Sequence, residues 1–420
     1  MFSSYRTLFA TPGSPAMVLT GMVARFPTGM VGVAAVFMIT GARGSYGLAG
    51  ALSATVLVVV ALSGPQLSRL VDRHGQARIA VPAQLAATSG ALAELLCLQL
   101  HAPTWTLFAG AACSGLGPNV GALSRARWPV MLGENEEVLH SAYSFETVVD
   151  ELSFVLGPLA ATVLATTVFS WAGFLVAELL FLVGVLSFCA QRRTEPPVRE
   201  AADPAARGSA LASPGLRVLA GVLLAMGTMF GINEITTIGF ADAHGHKAAA
   251  SLVLGCYALG SLLSGLAFGI WKPKGSPPRR LLLCLLLMSL ALTPLPFVGS
   301  LPLVAGVLLV AGLLTAPTMV TATGLVRELV PAEKLTEGFS WVITGLLLGA
   351  SAGAAVGGWV VQHFGAGAGY RLPVAAAVAG LLTALAGFRL LRPTGSGTDA
   401  PAAASRPEPC DASGGAAHVQ

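Results

Sequence analysis

Twelve long apolar runs, separated by short polar or Pro/Gly-bearing gaps, constrain this chain more than any other feature. A helix needs about 20 mostly apolar residues to cross the hydrocarbon core of a bilayer. Runs of that kind read at roughly 16–40, 45–68, 79–100, 104–124, 138–166, 169–190, 216–240, 247–270, 280–298, 301–324, 336–362 and 371–391. Lipid offers no partner to unpaired backbone groups, which excludes open β-sheet, and a membrane barrel needs short alternating strands. A helical bundle remains. Composition agrees, with 54% apolar and 10% charged residues in 420 and a mean hydropathy of +0.74. A water-soluble domain needs far more polar surface than that.

The distribution of Lys and Arg gives an orientation. Arg43, Lys247 and Arg371 fall in odd-numbered gaps and Arg25 lies inside the first run, which leaves twenty of the 24 basic residues on the side of the termini and even-numbered gaps. Arg125 and Arg127 are counted there, in the gap after the fourth run. The positive-inside rule puts that side, with both termini, in the cytoplasm of a cell-membrane protein. The net charge of +4 reflects this asymmetry. No basic segment is interleaved with aromatics as in strand-binding grooves, so no nucleic-acid partner is expected. The six cysteines are scattered without metal-ligand spacing, so neither a metal nor a cofactor is expected.

The chain divides in two. Residues 1–190 and 216–392 each hold six runs, 191–215 form a Pro-, Ala- and charge-rich cytoplasmic linker that reads as a flexible tether, and 393–420 read as a disordered tail. A shift of 201 residues lays Leu62-Ser63-Gly64 on Leu263-Ser264-Gly265 and Arg78 on Arg279. A shift of 196 lays Tyr143-Ser144-Phe145 on Phe339-Ser340-Trp341 and Gly157 on Gly353. The two shifts match corresponding gaps of each half, which points to a parallel duplication with a cavity between two bundles.

The gap between the second and third runs reads GPQLSRLVDRHGQAR, with Gly64, Asp72, Arg73, Gly75 and Arg78 in the pattern of a Gly followed by Asp-Arg-x-Gly-x-x-Arg. With twelve runs and a central linker, this resembles the major facilitator superfamily of secondary transporters, over about residues 14–392. The resemblance implies an all-α integral membrane fold of 12 helices in two pseudo-symmetric six-helix bundles. It also implies that the Asp72 loop latches the halves on the cytoplasmic side near the start of the eleventh helix, where Thr336 is a candidate N-cap. The cognate segment WKPKGSPPRR has Pro273 where Asp72 would map, so one latch is expected to be strong. Gly157-Pro158 in the fifth run resembles the end of the antiporter motif and would serve helix packing, although Ser153 stands where another Gly is usual. The fourth run has Gly115-Leu116-Gly117 but Ala111 at the position where drug–proton antiporters carry an Arg, which argues against proton antiport by that group.

An ionisable group at membrane depth is costly and is a functional candidate for that reason. Arg25 lies nine residues into the first run, and the fifth carries Glu146, Asp150 and Glu151. Glu146 and Asp150 share a helix face, while Glu151 points about 100° away. The resemblance makes the first and fifth helices neighbours, so Arg25 is expected to pair with a fifth-helix carboxylate, leaving another free for proton exchange. Asn233 and Glu234 in the seventh run are candidates for substrate contact, whereas Glu94 and Glu178 read as peripheral.

These residues favour a transporter over an enzyme. A lipid-modifying enzyme needs paired His, a Ser with a base, or a metal site, and none is visible. The expectation is a monomeric secondary transporter of a small organic solute, most consistent with proton-coupled efflux of a hydrophobic or amphipathic compound. Metabolite uptake, facilitated diffusion and a non-transporting sensor are the alternatives. No nucleotide-binding loop is present to suggest direct ATP drive.

Overall fold

The structure, a computed structural model, describes residues 3–133, 135–198, 208–246, 249–270 and 275–392. The tail 393–420 and Pro273 lie outside the described residues. Among the described residues the chain is helical throughout. The first half comprises α1 (Ser3–Ala10), α2 (Ser14–Arg43), α3 (Tyr46–His74), α4 (Gln76–Gln99), α5 (Thr104–Ser114), α6 (Val120–Leu132), α7 (Glu136–Thr167) and α8 (Ala172–Ala190). The second comprises α9 (Pro214–Ala243), α10 (Ala249–Ile270), α11 (Pro277–Leu292), α12 (Leu301–Leu329), α13 (Leu335–Phe364), α14 (Ala366–Gly369) and α15 (Arg371–Ala386). Among the described residues, eleven helical segments are long and apolar enough to cross a membrane.

The fourth expected run is the exception, because it is two shorter helices. Gly115, Gly117 and Pro118 interrupt it: two residues without a Cβ and one without an N–H end α5. Ser63 donates to the freed Gly115 carbonyl at 3.3 Å. Asn119 then caps α6, its side chain accepting from the Ala122 N–H at 3.0 Å. The restarted helix runs to Leu132 rather than 124, and it carries Arg125 and Arg127 into the bundle, where both are buried. They do not occupy a cytoplasmic gap, contrary to the orientation count.

Glycines set how closely the helices approach. In the first half, a Cβ on Gly157 would lie 2.6 Å from the Gly29 carbonyl carbon, so α2 and α7 cross backbone to backbone. The second half repeats this at the equivalent pair, α9 and α13. Gly349 and Gly353 lie against the carbonyls of Leu224 and Thr228, and Gly227 and Gly231 against those of Leu346 and Ala350. Gly349→Val is therefore expected to cost at least about 1–3 kcal/mol of stability, read as a lower melting temperature in detergent. Gly358→Ala should change little, because its Cβ would sit in ordinary contact at 3.7 Å from Ile235.

The halves meet most extensively through two equivalent pairings, α3 with α13 and α7 with α10. Gly64 of α3 faces the Ser340 hydroxyl, and Gly265 of α10 faces Val148. Tyr143 and Phe339, equivalent positions of the two halves, meet edge to face with ring centroids 6.0 Å apart. His140 bonds the Phe268 carbonyl at 2.9 Å, and Ser141 donates to that of Gly269 at 2.7 Å. These contacts lie on the side of the termini and reach inward as far as Glu151, midway along α7. Beyond that depth no extensive contact joins α2 and α9, the first long helix of each half, among the described residues.

The described ends of the linker are pinned. Thr194 accepts from Arg127 at 2.7 Å, and Glu195 accepts from the Ala77 N–H at 3.0 Å, capping α4. At the other end the Ser209 hydroxyl donates to Glu337 at 2.5 Å. The tether reading rested on composition, which does not register such single polar anchors.

Candidate functional site

Asp72 lies in the last turn of α3, and the expected loop around it is reduced to one residue. Gly75, at φ 94°, turns the chain directly into α4, a backbone state that glycine adopts without strain. This leaves Asp72 at a helix end facing the other half. Its two carboxylate oxygens accept from the backbone N–H groups of Thr336 and Glu337 at 3.2 and 2.8 Å. Thr336 is thus not the cap of α13 but a recipient of one: the cap comes from the opposite half. The first turn of a helix offers unpaired N–H groups and the positive end of its dipole, which together suit a carboxylate. Arg73 and Arg78 are exposed on the same side.

The second constellation is inside the first half. Arg25 on α2 donates through Nη1 to Glu146 at 2.5 Å and to Asp150 at 3.1 Å, both on α7. Arg125 on α6 donates to the other Asp150 oxygen at 2.5 Å. Glu146 is completed by Ser124 and the Trp128 indole, both donating to Oε1 at 2.8 and 2.7 Å. Two cations and two carboxylates make a neutral set, so the burial cost of each charge is offset by a partner. Three members are nearly sealed, while Asp150 keeps 31% of its side chain accessible. Asp150 is therefore the member through which the network is open to its surroundings.

Beside it stands a third layer. Arg127 donates to Gln76 at 2.7 Å and lies 3.8 Å from the centroid of the Phe188 ring. The latter is a cation–π contact.

Glu151 points away from these arginines. It accepts from Ser261 of α10 at 2.7 Å, so it belongs to the seam between the halves. Asn233 and Glu234 lie on α9 in the other half and are not brought to the Arg25 network. Asn233 is buried with no hydrogen-bond partner for its amide, and Glu234 is exposed. Glu94 and Glu178 are not peripheral: both are buried, at 3% and 5% exposure, within the first bundle.

Sequence reasoning missed Arg125, Ser124 and Trp128. The available signal was SRARWPVML, in which the apolar pattern continues past both arginines after a Gly-Pro break and an Asn cap.

Comparison with known proteins places this geometry in context. The family model described as Major Facilitator Superfamily matches residues 17–241 and 218–414. No curated protein matches the sequence significantly. The human organic anion transporter MFSD10 (TETRAN) has a similar structure, with TM-score 0.68 at 16% identity, covering 90% of this chain and 98% of that one. A bacterial homologue of the iron transporter ferroportin, in an outward-facing state with soaked iron, is similar at TM-score 0.71 and 14% identity. That match covers 89% of this chain and 98% of the other.

Proposed function

The chain belongs to the major facilitator superfamily, and on that premise we propose that it is a secondary active transporter moving a small organic solute across the cytoplasmic membrane by alternating access. The reaction is proton-coupled efflux of a hydrophobic or amphipathic compound. One monomer holds both halves of the path, and the termini are cytoplasmic.

The observation that carries this reading is the one-sided seam. The halves are joined on the side of the termini by side chains bonded to helix-end backbone, Asp72 to Thr336 and Glu337 and Ser141 to Gly269. Such bonds can part without unfolding either bundle. On the opposite side no extensive contact joins α2 to α9 among the described residues, which supports an outward-open state with Asp72, Arg73, Gly75, Gly64 and Arg78 at the cytoplasmic closure. The Arg25–Glu146–Asp150–Arg125 network supplies the coupling element: Asp150, its accessible member, is where Arg125 can part from its carboxylate partner.

Proton release or uptake by the purified protein in liposomes, on addition of lipophilic compounds, tests this. Wild type is expected to move protons with substrate. Asp150→Asn is expected to abolish that movement, and Glu146→Gln and Glu151→Gln measure the neighbouring carboxylates. Solute movement without protons would favour uptake or facilitated diffusion. No movement of any solute by folded protein would favour a sensor.

A further inference from the structure

The seam between the halves ends at Glu151 and Ser261, and the surfaces just beyond it have a consistent chemistry. On α10 the residues that face the other half recur every four positions. Gly265 meets Val148 and Ser261 meets Glu151, so Tyr257, one turn further out, continues the same stripe. Its ring meets Phe230 of α9 with centroids 5.9 Å apart, and its hydroxyl is fixed by Thr315 at 2.6 Å. Glu234 lies one turn beyond Phe230 on α9, and it is exposed. Asn233, three residues on from Phe230 and therefore adjacent on the helix surface, is 5% exposed, and neither its amide oxygen nor its amide nitrogen has a hydrogen-bond partner.

We infer that this face binds the protonated nitrogen of an amphipathic amine. The inference rests on the transporter reading above and adds the charge class of its substrate. The aromatic pair offers ring faces to a cation and apolar surface to its hydrocarbon. The Asn233 carbonyl supplies an acceptor that has no other use, and an ammonium N–H is its complement. Glu234 supplies the counter-charge on the outer side and Glu151 on the inner side. The nearby cations do not oppose this. Arg25 and Arg125 are at most 5% accessible and each bonds a carboxylate, although Nη2 of Arg25 and Nη1 of Arg125 have no hydrogen-bond partner, and the accessible member of their network, Asp150, is acidic. An anionic solute on this face would meet Glu234 and Asp150.

The test is saturation binding of radiolabelled phenylbutylamine to the full chain in nanodiscs, with empty nanodiscs as blank and phenylbutanol and phenylbutyrate as neutral and anionic competitors. The amine is expected to bind saturably, the alcohol at least about tenfold more weakly, and the carboxylate not at all. Glu234→Gln and Asn233→Leu are each expected to weaken the amine while leaving the melting temperature unchanged, and Glu234→Asp to retain it. The inference is overturned if the carboxylate or alcohol competes as well as the amine. It is equally overturned if no saturable amine binding occurs, or if both substitutions leave the affinity unchanged. Proton movement driven by the alcohol or carboxylate in liposomes would overturn the amine assignment and keep the transporter. Saturable amine binding without transport of any solute would do the reverse.

Discussion

Arg25→Ala is expected to destabilise the purified protein by about 3–5 kcal/mol, and adding Glu146→Ala is expected to restore most of that loss. The argument is a charge count. Arg25, Arg125, Glu146 and Asp150 form a neutral set, with Arg25 bonded to Glu146 at 2.5 Å and to Asp150 at 3.1 Å. Removing Arg25 leaves Glu146, a fully buried side chain, with only the neutral donors Ser124 and Trp128. The double variant leaves the Arg125–Asp150 pair balanced and removes the stranded charge. Thermal unfolding of the three variants against wild type in one detergent forms the double-mutant cycle. Additive losses would mean that Arg25 and Glu146 are energetically independent, which the shared hydrogen bond does not permit.

Asp72→Asn is expected to abolish most transport while leaving the protein folded in the membrane. An amide retains one acceptor oxygen but loses the charge and the second acceptor, and both Asp72 oxygens are in use on the first turn of α13. Charge-assisted hydrogen bonds contribute about 1.5–3 kcal/mol each, and a loss of that size shifts a two-state closure by one to several powers of ten. The bundles themselves are untouched, because the bonds cross between halves. Size-exclusion behaviour and melting temperature should resemble wild type, while solute-driven proton movement collapses. Full turnover in this variant would remove the closure role from Asp72 and the residues around it.

Much of the architecture was legible in the chain because the bilayer imposes it. A run long enough to span must be helical, and eleven helical segments among the described residues are long and apolar enough to do so. The internal shifts were legible too, and they have a spatial meaning. The 196-residue shift pairs Tyr143 with Phe339, which meet between the halves, and the 201-residue shift pairs Gly64 with Gly265, which occupy the two equivalent seams. Glu146, Asp150 and Arg25 stood out because an ion in an apolar run demands a partner.

What the chain did not disclose were outcomes decided by contacts distant in sequence. Arg125 and Arg127 read as cytoplasmic charges because they follow directly on the apolar run 104–124, whose internal break at Gly115-Leu116-Gly117-Pro118 has no effect on an apolar count. In three dimensions that break restarts a helix, and α7, α4, the start of the linker and α8 supply the carboxylate, Gln, Thr and aromatic partners that offset the cost of burial. Glu94 and Glu178 read as peripheral because periodicity ranks faces and cannot say which neighbour covers them. Hydrophobic periodicity and positive charge are local quantities integrated over a helix, so the sequence by itself determined spans, their alternation and the division into halves. Compensation of a buried charge depends on which side chain from another helix arrives within about 3 Å, and only the tertiary structure decided that.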